Sequence, residues 1–160
     1  MCKDEREYCD EVLKYISNGE IRNRIKYLLN WYTKKANRCK YKYYIFSFIG
    51  IIGPALITLI SSYESTNYKW MIPVISTISS ICAGILVLTQ YREGWLRYRK
   101  SVEQIKSYTN IYLVEIQELL GGKKTEKDKE FIKLIEKIVL EENIEWFNTR
   151  NKEINGENKE

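Results

Sequence analysis

The residues of this chain best suited to chemistry sit where a chain is usually most inert. Between Lys69 and Arg92 run 22 uncharged residues, WMIPVISTISSICAGILVLTQY, which include Ser76, Thr77, Ser79, Ser80 and Thr89 with Ala83 and Gly84 among them. On a helix turning about 100° per residue, Pro73, Ser76, Thr77, Ser79, Ser80, Ala83, Gly84 and Val87 share one side. Met71, Val74, Ile75, Ile78, Ile81, Cys82, Ile85, Leu86 and Leu88 take the other, and Thr89 is the main exception. Hydroxyls can replace part of an ion's water shell without supplying a fixed charge. Ser76, Thr77, Ser80, Ala83, Gly84 and Val87 are therefore the candidate lining of a narrow aqueous path shared by several copies. A plainer reading uses the same residues: Ser76-x-x-x-Ser80-x-x-x-Gly84 is a ladder of small residues along which helices approach closely.

Other chemistry is poorly supplied. The chain has no histidine, so the usual general base is missing, and its only aspartates, Asp4, Asp10 and Asp128, are scattered. There is no G-x-S-x-G and no P-loop; Gly121-Gly122 reads as a helix stop. Cys2, Cys9, Cys39 and Cys82 form no C-x-x-C pair, and a four-ligand zinc site has no stock to draw on. No enzymatic activity, catalytic residue, metal or cofactor is expected.

The elements that would position the hydroxyls are membrane spans. A second uncharged stretch, YYIFSFIGIIGPALITLISSY over 43–63, precedes the one over 70–91. A helix of 22 residues is about 33 Å long, enough for a hydrocarbon core of about 30 Å. Tyr43, Tyr44 and Tyr63 bracket the first span and Trp70 and Tyr91 the second, as interfacial aromatics do. Mean hydropathy is negative (−0.41) because every charge lies in the flanks. Eight bases and no acid occur between Ile21 and Tyr43, and Arg92, Arg97, Arg99, Lys100 and Lys106 follow the second span. The loop over 64–69 has one of each sign. This asymmetry predicts both termini in the cytoplasm, with Arg92 and Lys42 at an inner mouth and Glu64 and Lys69 at an outer one. The net charge of +5 is accounted for by this juxtamembrane excess, which argues against nucleic acid as a partner. The first apolar run begins too late for a cleavable leader, so the first span is expected to act as an uncleaved insertion signal.

The flanks read as helix: residues 1–42 as cytoplasmic N-terminal helices, 92–150 as cytoplasmic C-terminal helices, and 151–160 as a disordered tail. A first helix is expected near Glu5 to Ile16. Ser17-Asn18-Gly19 starts a second, with Ile21, Ile25, Leu28, Leu29, Tyr32, Ala36 and Cys39 on one face, running into the first span without a breaker. A third, through Trp95, Val102, Ile105, Tyr108, Tyr112 and Ile116, continues the second span unbroken to Gly121-Gly122. A last helix covers about Glu126 to Thr149. The fold class is an all-α membrane protein, a transmembrane helical hairpin whose helices extend into a cytoplasmic bundle.

After the second span comes YREGWLRYRKSVEQIKSYTNIYLVEI, with Trp95, Tyr98 and Arg99; after the glycine break comes FIKLIEKIVLEENIEWF, with Trp146. These residues and the order of parts, over roughly Glu20 to Phe147, resemble the SLATT family, two-transmembrane effectors of prokaryotic nucleotide-signalling conflict systems. The resemblance implies a pore-forming effector, switched by a cytoplasmic nucleotide-sensing partner, that damages an infected or stressed cell. Unlike the family's fused forms, these 160 residues are expected to hold no nucleotide-binding domain. The expectation is a homo-oligomeric pore or ion channel of roughly four to six subunits in the cell membrane, gated from the cytoplasm. The alternative is a membrane-anchored helical adaptor or sensor without conductance.

Overall fold

The computed structural model describes residues 3–62, 69–118 and 124–154, and all regular structure among them is helical. Five α-helices follow one another: α1 (Lys3–Val12), α2 (Gly19–Ser61), α3 (Met71–Thr89), α4 (Tyr91–Glu118) and α5 (Lys124–Ile154). A 3-10 turn, Leu13–Tyr15, follows α1. Glu64 and Gly121-Gly122 lie outside the described residues.

Two compact units emerge, Met1–Lys34 with Arg97–Glu160, and Lys35–Leu96. The first is a helical bundle. Asn18 opens α2: its side-chain oxygen accepts the N–H groups of Glu20 and Ile21 at 3.1 and 3.5 Å, satisfying donors that the first turn leaves without partners. The three-and-four spacing then buries Ile21, Ile25, Leu28, Leu29 and Tyr32 on one face. Val102, Ile105 and Tyr112 of α4, and Phe131, Ile135 and Ile138 of α5, join the same core, with Cys9, Leu13 and Ile16. Each fully buried Ile or Leu contributes about 1.5–3 kcal/mol. Tyr112 and Phe131 stack with ring centroids 4.1 Å apart. Thr109, wholly buried, donates its hydroxyl to the carbonyl of Ile105 at 2.7 Å.

The second unit contains the apolar part of α2, all of α3 and the first residues of α4. Its helices are long and apolar enough to cross a membrane. Only 6% of the most apolar stretch of α2 and 11% of that of α3 is buried within the chain. A core helix of a water-soluble domain would be mostly covered. Pro54 lies inside α2 without ending it, and the Thr58 hydroxyl donates to its carbonyl at 3.1 Å. Pro73 falls in the first turn of α3, where a missing N–H costs no helical bond.

Two expectations are corrected. The second span does not run unbroken into the helix beyond it. Gln90 adopts φ 45°, ψ 41°, a left-handed conformation that ends α3, and its carbonyl accepts the N–H of Gly94 at 3.1 Å as α4 begins. The segment 151–160 is not wholly irregular either, since α5 continues through Ile154; residues 155–160 lie outside the described part.

Candidate functional site

The α2·α3 contact decides which face of α3 is left open. A Cβ placed on Gly53 would lie 1.8 Å from Ser79 Oγ and 3.1 Å from Ser79 Cβ, so a side chain there would force the Ser79 hydroxyl to turn away and the helices to part by a few tenths of an ångström. Ser79 and Cys82 are buried on the inner side of α3. Ser79 Oγ has no hydrogen-bond partner among the described residues. The helical projection had put Ser79 among the hydroxyls of the small-residue face and Cys82 on the opposite side; the close approach to Gly53 instead brings both into the helix contact.

Ser76, Thr77, Ser80, Ala83, Gly84 and Val87 are all exposed on the single chain. Ser76, Ser80, Gly84 and Val87 follow one another at steps of four, four and three, so they form one row along α3. Thr77 turns its hydroxyl back to the carbonyl of Pro73 at 2.8 Å, and Thr89 does the same to Ile85 at 2.6 Å. The apolar residues Val74, Ile78 and Ile81 are exposed as well. α3 therefore presents a hydroxyl-bearing row and a greasy surface, both uncovered within one chain.

At one end of this unit the aromatic and basic residues form a collar. Phe46 stacks on Tyr91 with centroids 6.1 Å apart and planes 7° from parallel. Tyr44 meets Trp95 at 6.3 Å and Tyr43 at 5.5 Å. Lys40 Nζ lies 5.4 Å from the Trp95 ring, and Lys42 Nζ lies 5.4 Å from the Tyr91 ring, within cation–π range. The exposed Arg92 follows Tyr91 directly, so Lys42 and Arg92, the expected inner-mouth pair, share this end. Cys39 lies inside the collar. Burial pushes its thiol pKa up, while Lys35, Lys42 and Arg38 oppose that shift. Lys69, expected at an outer mouth, is exposed just ahead of α3, and its carbonyl accepts the N–H of Ile72 at 3.3 Å.

The bundle contains a polar cluster that the sequence reading missed, because two of its links join residues more than 100 positions apart. Asp128 accepts the Tyr112 hydroxyl and, at 3.4 Å, the Asn18 amide. Beside it Arg24 binds Glu136 with two hydrogen bonds of 2.8 and 3.0 Å. A groove of about 440 Å³ lies over these groups. Burial and the Asp128 carboxylate both hold the Tyr112 hydroxyl far above the ordinary tyrosine range. Among the described residues no cluster of histidine, cysteine or carboxylate side chains could hold a metal ion.

No curated protein and no solved structure matches the chain. A family model does, over residues 28–118, a range that begins in α2, takes in all of α3 and ends with α4. It includes the hydroxyl row and the collar, and its description is that of a protein family of unknown function. On that match over more than half its length, the chain belongs to the DUF4231 family.

Proposed function

We propose that the chain is one subunit of a homo-oligomeric membrane pore or ion channel, gated from the cytoplasmic side. The observation that carries this reading is the exposure of two charge-free helical stretches, in α2 and α3, only 6% and 11% buried at their most apolar, with a hydroxyl row on α3. An apolar surface of that extent needs lipid or other helices against it. Several copies, roughly four to six around an axis, would turn Ser76, Ser80, Gly84 and Val87 toward a shared path. Both termini would lie in the cytoplasm, as the basic collar at Arg38, Lys40, Lys42 and Arg92 favours. The reading is non-catalytic, and its partners are the bilayer and further copies of the chain. The resemblance to SLATT effectors extends it: a cell-damaging effector of a prokaryotic defence system, switched by a cytoplasmic nucleotide-sensing protein.

Gating would use two unlike connections. α2 is one helix from Gly19 to Ser61, suited to carrying rotation along its axis, whereas α3 and α4 meet at the Gln90 bend. A membrane-anchored adaptor without conductance is the second reading. It is favoured by the hydroxyls of Thr58, Ser61, Ser62, Thr77 and Thr89, which bond back to carbonyls of their own helices. Such hydroxyls are satisfied without a pore.

Single-channel recording of purified protein in a planar bilayer tests the two. A pore gives discrete current steps that shrink or vanish in Ser76→Leu/Ser80→Leu while the oligomer stays intact. An adaptor is silent in the bilayer, tolerates Ser76→Ala/Ser80→Ala, and loses its assembly in Gly84→Leu.

A further inference from the structure

An apolar groove runs along α2 from Tyr41, directly after the basic residues Arg38 and Lys40 in the chain, and this sequence of charge and apolar surface has the form of a lipid site. The groove, about 580 Å³, is lined from Tyr41 through Ile45 and Phe48 to Ile51. Its lining is almost wholly apolar apart from tyrosine hydroxyls and Ser47. Ten residues of helix extend about 15 Å, long enough for much of one acyl chain. Arg38, Tyr41, Ile45 and Phe48 follow at steps of three, four and three, so they share one face. Lys42 stands one turn from Arg38, at the edge of that face, with its ammonium 5.4 Å from the Tyr91 ring. Both cations are exposed, and among the described residues no salt bridge engages either. Like charges at this spacing repel, so the pair favours a bound anion.

We propose that Arg38 and Lys42, with the Tyr41 hydroxyl, bind the phosphate of an anionic phospholipid whose acyl chain lies along Ile45, Phe48 and Ile51. The site rests on the reading of α2 as a membrane span. Charge complementarity selects an anionic over a zwitterionic headgroup, since two neighbouring cations without an acid gain most from a net negative lipid. The apolar row below selects a lipid over free phosphate, which would have no use for it.

The test takes full-length protein purified in a mild detergent with equal amounts of phosphatidylglycerol and phosphatidylcholine of identical chains. Native mass spectrometry counts what stays bound. The expected result is a preference for phosphatidylglycerol of about tenfold, as two basic residues at a headgroup can supply. Arg38→Gln/Lys42→Gln should abolish it, and Lys133→Gln/Lys137→Gln, with the same charge change on α5, should keep it. Equal retention of both lipids by the wild type, or a preference surviving in Arg38→Gln/Lys42→Gln, overturns the site. An alkaline carbonate wash of the source membranes separates this from the parent reading: protein released to the supernatant refutes the span, and protein left in the pellet without a lipid preference refutes only the site.

Discussion

At the scale of single residues, the serines of α3 divide into two kinds that their sequence spacing does not distinguish. Ser76 and Ser80 are exposed, whereas Ser79 is buried against Gly53 with its hydroxyl unpartnered among the described residues. A buried hydroxyl without a partner opposes folding, so Ser79→Ala should leave the stability of the detergent-solubilised protein unchanged or raise it by up to about 1 kcal/mol, with the melting temperature following. Gly53→Val should do the reverse. Its branched side chain would be driven into Ser79 Cβ, and overpacking of this kind costs about 1–3 kcal/mol. A thermal melt of both variants checks the pair; a Gly53→Val protein as stable as wild type would mean that α2 and α3 do not touch there. The sequence holds the small residues needed for such an approach, and Gly50, Gly53 and Ala55 all lie in the right part of α2. Which of them meets which serine depends on the rotation of one helix against another, and a helical wheel drawn for α3 alone has no information about that angle.

At the scale of elements, local signals were legible and non-local ones were not. Asn18 ahead of Gly19 marks the start of α2 by its own hydrogen-bonding chemistry, and the helix that follows has no residue able to stop it before the end of the apolar stretch. The break at Gln90 has no such mark. Glutamine is not a residue that favours the left-handed region, and TQYREG contains neither proline nor glycine at the bend. The bend coincides with contacts made by the residues just after it, Tyr91 on Phe46 and Trp95 beside Tyr44, which fix the entry of α4 from another helix. A non-glycine residue in this conformation costs about 1–2 kcal/mol. Gln90→Gly should recover part of that, offset by the greater freedom of glycine in the unfolded chain, for a net gain of about 0.5–1 kcal/mol. Gln90→Val should lose more than 1 kcal/mol, roughly, because a β-branched side chain fits this region worst. Measured by thermal unfolding, an unchanged Gln90→Val protein would rule out the bend and restore the single long helix that the sequence suggests.

At the scale of the whole molecule, the division of charge made the apolar hairpin legible, since no acid or base interrupts either stretch and the flanks hold nearly all of both. The internal wiring of the bundle was not, because Asn18, Tyr112 and Asp128 come together only through the packing of three helices. That wiring gives the bundle unit an alkaline weakness. Burial is the leading cause that raises Tyr8 and Tyr32 to about 12, and it raises Tyr112 further still with help from Asp128. Tyr32 also feels Glu142, a carboxylate buried on the core side of α5. A tyrosine raised in the folded state favours folding fully below its ordinary value of 10, and that contribution is lost as pH climbs from 10 through the folded values. Ionised Tyr112 would set a phenolate against Asp128, and ionised Tyr8 would no longer donate to Asn110 Oδ1, now at 2.9 Å. Helicity followed by circular dichroism in detergent should therefore hold to about pH 10 and then fall in part, together with the appearance of phenolate absorbance from these three rings. The segment Lys35–Leu96 that makes up the hairpin unit includes none of the three, so its share of the signal should outlast the fall. Replacing Tyr8, Tyr32 and Tyr112 by Phe should flatten the decline between about pH 10 and 12, because the linkage disappears with the titrating groups. A decline of the same steepness in that variant would place the alkaline sensitivity elsewhere, and a fall of all helicity in one step would tie the stability of the apolar helices to that of the bundle.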